Sequence, residues 1–156
     1  MKGVHQYKVI VHWTGNRGRG TTGYADYDRS HIISVENKPD LLCSSDVAFR
    51  GDATKYNPED LLLASISTCH MLWYLHLCAD AGIVVVSYAD RAEGTMIESP
   101  EGGGRFTEVT LYPEVKITDP DLMQQAIGLH SIANKKCFIS NSVNFPVKHE
   151  PKCTSL

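Results

Sequence analysis

The sequence predicts an α+β fold, with largely antiparallel sheets packed around one long, buried central helix. Three observations lead there. β-rich segments, a long apolar helix, a strand hairpin, a second helix and a last strand follow in that order, without the strand–helix alternation that a parallel sheet requires. Asn57-Pro58-Glu59-Asp60 is a strong helix start, with Gly82 as its matching stop. Pro100 and the run Gly102-Gly103-Gly104 mark a hairpin loop between two β-rich stretches.

Tyr7, Val9, Val11 and Trp13 alternate, which reads as a strand over 6–13. The glycine-rich turn from Gly15 to Gly20 follows, and β-rich stretches at 21–27 and 31–35 are expected to pair with the first strand. Lys38-Pro39-Asp40 is another turn, and 43–56 looks irregular. Asn57 can cap the long helix, Pro58 fits its first position, and Glu59 and Asp60 sit at the positive end of its dipole. The helix is expected to run to Ala81. It is apolar on nearly every face, so other structure must surround it. Residues 83–98 read as a strand and 106–118 as its return. Asp119-Pro120 repeats the cap-plus-proline start, opening a helix to about Asn134, with Cys137 just beyond and a last strand over 144–150. The whole chain, 1–156, is expected to form a single domain.

Composition excludes several classes. Net charge is −3 and no stretch of Lys and Arg is dense enough to track phosphates, so nucleic acid is not an expected partner. Glycine-rich dinucleotide motifs and internal repeats are absent. The segment from Leu61 to Ala79 has the length of a membrane span, but Ser65, Ser67, Thr68, His70 and His76 interrupt it, and soluble-helix caps flank it. A buried helix is the expected reading, with no membrane partner. The start Met1-Lys2-Gly3-Val4-His5-Gln6 lacks an apolar run with a small-residue cleavage site, so no signal peptide is expected. Five cysteines, an odd count with no CxxC, argue against a disulfide scaffold and for a cytoplasmic protein.

A cysteine taken singly is usually an inert core residue. Here the pattern carries more. Asn57-Pro58-Glu59 precedes Cys69 by one apolar helical stretch, NPEDLLLASISTCH, and Cys137 lies in KKCFISNSVNFPV. These segments, with WTGNRGRGT near the start, resemble the OsmC/Ohr family of thiol-dependent peroxidases in the right order along most of the chain. The resemblance implies an OsmC-like fold in an intertwined homodimer, with organic hydroperoxides as substrate and defence against oxidative stress as role. It implies that Cys69 is the peroxidatic thiol and that Cys137 resolves its sulfenic acid as a disulfide, which a small or protein-bound dithiol then reduces. No cofactor or metal is implied.

Elementary physics adds two constraints. An ordinary thiol with a pKa of about 8.5 is only about 3% ionised at pH 7, and a value near 6 would raise the thiolate roughly thirtyfold. The helix dipole cannot supply that shift, because Cys69 lies roughly 16 Å from Pro58 at 1.5 Å per residue. A buried apolar face pushes the pKa up. A cation is therefore needed, and arginine keeps its charge when buried. Glu59, which the family pairs with such an arginine, lies about 15 Å from Cys69 along the same helix. Glu59 and its arginine are therefore expected to act on Cys69 of a second subunit. Arg50, in Phe49-Arg50-Gly51-Asp52, is the preferred arginine because it is nearest Glu59 in sequence. Arg17, in the glycine-rich turn, is the alternative, with Arg19 and Arg29 behind it.

Around Cys69, Leu72 and Trp73 could wall an alkyl pocket or simply pack in the core. His70 need not face the site, and His76 is expected to be a buried, hydrogen-bonded histidine. Cys78 reads as core and Cys153 as tail, with Cys43 unassigned. Two rival functions are weighed. A metal centre of Cys69, His70, His76 and Cys78 lacks the usual ligand spacings. A non-catalytic binder of lipids or small molecules could use the same apolar pocket, but would not need Cys69, Cys137 and Glu59 together.

Overall fold

The computed structural model describes residues 3–156. The chain divides into two compact units, Met1–Leu61 and Leu62–Leu156.

The first unit carries a three-stranded antiparallel sheet, β1 (Ile10–Trp13), β2 (His31–Ser34) and β3 (Leu41–Cys43), in that order. Residues 21–27, expected to be a strand, form turns instead. They belong to the loop between β1 and β2, which folds on local polar contacts. Asn16 Oδ1 accepts from the N–H groups of Gly18 and Gly20 at 2.8 and 3.0 Å. Gly15 lies so close to Asp28 that a Cβ would fall 1.8 Å from its carbonyl oxygen, so only glycine fits there. The strands begin four residues later than expected at β1 and end at Ser34, as alternation alone does not fix strand ends.

Among the described residues of this unit only Gly15, Cys43 and Ser44 are buried. All four positions of β1 are exposed, as are Tyr7 and Val9 before it. The unit therefore has apolar strands but no hydrophobic core of its own.

Helix α1 spans Pro58–Asp80. The Asn57 side chain accepts from the Asp60 N–H at 2.7 Å, and the Asp60 carboxylate faces the Asn57 N–H at 3.4 Å, a reciprocal cap. At the far end Gly82 takes φ 71°, and the N–H of Ile83 returns to the Cys78 carbonyl at 2.8 Å, which closes the helix. By length and composition α1 could cross a membrane. In the fold it presents one fully buried stripe, Ile66, His70, Tyr74 and Cys78, at four-residue spacing. Its other faces are partly covered, and Leu72 is left 59% exposed.

The second unit contains two three-stranded sheets. One orders β4 (Val85–Asp90), β7 (Pro113–Ile117) and β9 (Lys152–Ser155), and the other β5 (Glu93–Glu98), β6 (Gly104–Leu111) and β8 (Val147–His149). Each long strand expected from sequence, 83–98 and 106–118, is thus broken and shared between the sheets. Asp90 makes the corner. Its Oδ1 accepts from the Tyr112 N–H at 2.7 Å, and its Oδ2 accepts from Ser67 of α1. Pro113, which cannot donate to a ladder, stands at the start of β7. The hairpin at 99–103 is present, with Gly102 and Gly103 at positive φ.

Helix α2 (Met123–Lys136) follows β7. Behind it, β8 joins β6 and β9 joins β7, both in parallel, so the sheets are mixed. β9 was not expected. It gives Cys153, taken from sequence as tail, a half-buried place against the core. Two apolar clusters form that core. One gathers Tyr74, Cys78, Ile83, Val115, Ile117, Ala126 and Ala133; the other is centred on Ile66, Val109 and Leu111. Ile66 has no exposed surface. Its truncation to alanine is expected to cost about 2–5 kcal/mol, read as a shift in the midpoint of urea unfolding with an unchanged slope.

Candidate active site

Cys69 lies in mid-helix on α1, beside the buried stripe, and is half-buried. Cys137 caps the C-terminus of α2 and is fully buried. Its capping N–H bonds the Ala133 and Asn134 carbonyls, and its Sγ accepts from the Ser140 N–H at 3.3 Å. The two thiols, far apart in sequence, lie side by side, close enough for Cys137 to act on the ionisation of Cys69. Both are free. Neighbouring free thiols can interconvert with a disulfide by exchange.

Burial pushes the Cys69 thiol pKa up, and the neighbouring Cys137 adds to the rise. The backbone N–H groups of Ile139 and Phe138 act the other way, as donors that favour the thiolate. The balance is upward. The surroundings within the second unit therefore favour a protonated thiol, as expected for a cysteine on an apolar helix.

The wall beside Cys69 is aromatic. Trp73, one turn on, meets Phe138 edge to face at a centroid distance of 5.8 Å, and Lys136 Nζ sits 5.1 Å over the Trp73 ring. Phe138 is 70% exposed. Sequence reasoning named Trp73 and Leu72 for this wall and missed Phe138, which follows Cys137 directly.

The charged candidates lie in the first unit. Glu59, in the first turn of α1, has a buried Oε2 with no hydrogen-bond partner among the described residues. Arg17 is engaged inside its own loop, donating to the Ala25 carbonyl and facing Asp28 at 3.7 Å. Arg29 donates to the carbonyls of Tyr24 and Tyr27 and lies 4.2 Å over each ring. Arg50 differs from both. Its backbone is left-handed at φ 65°, ending the short helical turn Val47–Phe49 that Asp46 caps. Its guanidinium has no hydrogen-bond or ion-pair partner among the described residues and lies 6.0 Å from the Tyr24 ring centroid. Positive φ at a non-glycine residue costs roughly 1–2 kcal/mol, and such strain gathers at functional positions.

His76 corrects the expectation of a buried, hydrogen-bonded side chain. It is exposed, 3.4 Å from Asp80, and edge-on to Trp73. His70 is the buried one, and it does not stand alone. His70 Nε2 and His130 Nδ1 share a hydrogen bond of 2.9 Å, with His149 5.8 Å from His70 between ring centroids. Burial lowers the pKa of all three, to about 4 at His70 and about 3 at His130. Sequence reasoning did not single out His130 or His149. Their signal was faint: His130 lies two helical turns before Cys137. No group of three metal-ligating side chains is placed to hold an ion among the described residues.

A family model described as OsmC-like protein matches residues 51–152. The chain belongs to the OsmC-like family. The OsmC-like protein of unknown function from Vibrio cholerae is 28% identical, with a TM-score of 0.86 over 96% of this chain and 100% of that one. An organic hydroperoxide resistance protein of Elizabethkingia anophelis superposes with a TM-score of 0.67 at 17% identity over the full length of both chains. That of Bacillus subtilis does so with a TM-score of 0.67 at 21% identity over 95% of this chain and 98% of its own. No functionally curated protein matches the sequence. The OsmC-like fold is thus established, and its structural relatives include proteins of hydroperoxide resistance.

The buried imidazoles are expected to make this OsmC-like protein acid-sensitive. His70 and His130 stay neutral when folded and take up protons near pH 6.5 when unfolded, so stability is full above that pH. It is lost as pH falls from about 6.5 toward 4 and 3. Unfolding near pH 5 is expected to take up about two protons from this pair, measured as the slope of unfolding free energy against pH. The double variant His70→Leu/His130→Leu should flatten that slope.

Proposed function

We propose that the protein is a two-cysteine peroxidase that reduces organic hydroperoxides to alcohols. The observation that carries the reading is the meeting of Cys69 and Cys137, thiol to thiol, at the base of an aromatic wall. The Cys69 thiolate attacks the terminal peroxide oxygen. The O–O bond breaks, the alkoxide leaves and takes a proton as alcohol, and Cys69 becomes a sulfenic acid. Cys137 attacks that sulfur, water leaves, and a disulfide remains. A dithiol restores both thiols by exchange and is itself oxidised to a disulfide.

The thiolate needs a cation that the second unit does not provide beside it. In this reading a second copy of the chain supplies it. Arg50, held in position by Glu59, approaches Cys69 of the other subunit, and Arg17 is the alternative. Three features support this. Arg50 and the Glu59 Oε2 have no partners among the described residues, Arg50 carries the strained backbone, and the first unit leaves apolar strands uncovered. Two copies would bury β1 and the open face of α1, and the chain would act as one domain only within that intertwined homodimer. Trp73, Phe138 and Leu72 would favour alkyl peroxides over hydrogen peroxide, at about 0.8 kcal/mol per buried CH₂. Five free cysteines suit the reducing cytoplasm. A lipid or small-molecule binder on the same scaffold would keep the wall and need no second thiol.

Stopped-flow measurement of cumene hydroperoxide consumption tests the reading. Cys69→Ser is expected to lower the rate at least about a hundredfold, because a hydroxyl is a far weaker nucleophile than a thiolate. Arg50→Met should lower it roughly thirtyfold at pH 7, with recovery as pH rises and the thiol ionises unaided. A loss at Arg17→Met instead moves the role to Arg17. Rates indifferent to Cys69 would leave a binding protein.

A further inference from the structure

We infer that His130 and His70 are positioning residues that set the approach of Cys137 to Cys69. The inference rests on the peroxidase reading for its purpose, but the geometry stands by itself. The fully buried stripe of α2 is Ala126, His130 and Ala133, continued by Cys137 at the cap. Three of these four side chains are small. Small side chains grip weakly along the axis, so by themselves they would let α2 slide on α1 at little cost. His130 is the exception, and it is gripped in two directions.

Edge-on, His130 Nδ1 shares the 2.9 Å hydrogen bond with His70 Nε2. The ring planes lie 11° apart and the centroids 5.2 Å apart, the spacing of two imidazoles joined in one plane. Face-on, the His130 ring stacks on Tyr74 at 3.8 Å and 14°. Both contacts come from the part of α1 that carries Cys69. His70 follows Cys69 directly, and Tyr74 lies one turn further on. From His130 the chain runs seven residues, close to two turns, to Cys137, which therefore returns to the same face. A slip of one turn would carry Cys137 about 5.4 Å away, far beyond the roughly 2.05 Å of a disulfide bond. A single buried polar pair can fix the register of two packed helices in this way. Its direct competitors are absent, since His130 Nε2 and His70 Nδ1 have no partner among the described residues.

The test is the equilibrium of the Cys69–Cys137 pair with oxidised and reduced dithiothreitol, with the other three cysteines as found and the 69–137 disulfide quantified by peptide mapping. In this exchange the two protein thiols become a disulfide while cyclic dithiothreitol is reduced to its dithiol. Amide replacements separate position from polarity. His130→Asn places an amide at the Nδ1 position and keeps the bond, whereas His130→Gln places it at Nε2 and loses it. At position 70 the pattern inverts, with His70→Gln keeping the bond and His70→Asn losing it. The bond-keeping variants are expected to stay within about twofold of the wild type. The bond-losing ones should form the disulfide about tenfold less readily, the worth of one buried hydrogen bond, or about 30 mV. Equal equilibria for Asn and Gln at both positions would overturn the proposal. So would loss of the folded state in all four variants by circular dichroism, since the pair would then hold the fold and not the thiols. A wild-type protein that forms no 69–137 disulfide would instead overturn the peroxidase reading.

Discussion

The packing of α2 across α1 is the contact on which the rest depends. It closes one of the two apolar clusters of the second unit, where Tyr74 and Cys78 of the α1 stripe meet Ala126, Ala133 and the sheet residues Val115 and Ile117. It also delivers Cys137 to Cys69. One set of contacts therefore supports both the fold and the proposed chemistry, and a displacement too small to unfold the protein would still separate the thiols. The histidine pair lies within this contact, an unusual use of polar side chains in a region that could have been wholly apolar. Burying imidazoles costs free energy that an aliphatic pair would not. In return the pair admits only one alignment.

Much of this was legible in the sequence. The caps at Asn57 and Gly82 set α1 to within a residue, because capping depends on the local chain alone. Asp119-Pro120 marked a short 3-10 turn, Pro120–Leu122, that leads into α2 three residues later, and the glycines at 102–104 marked the hairpin. Cys69 and Cys137 stood out through family resemblance, and the structure brings them together. The corners at Asp90 and Pro113 were hidden because splitting a strand between two sheets is a tertiary event. The parallel pairings of β8 and β9 were hidden too, since strand direction depends on where α2 returns the chain. His76 was misread because helix periodicity gives a face but not what covers it. His130 was passed over because one histidine in a helix carries no signal until its partner is known.

The electrostatics of Cys69 define what the chain lacks by itself. Burial raises the thiol pKa, and peroxide chemistry requires the opposite. The backbone N–H groups of Phe138 and Ile139 assist but do not overcome burial. Glu59 with a buried oxygen and Arg50 with a guanidinium, both without a partner among the described residues, and a first unit without a core are three separate deficits. A second copy would remedy all of them at once, which is why the homodimer reading carries weight beyond family membership.

The most direct test of the account is the fate of the thiols after one equivalent of cumene hydroperoxide meets fully reduced protein, followed by intact mass and peptide mapping. The account predicts rapid loss of two thiols and a mass lower by two hydrogens, with Cys69 and Cys137 recovered in one disulfide-linked peptide. Oxidation spread across Cys43, Cys78 and Cys153, or stable oxygen adducts with no 69–137 link, would contradict it.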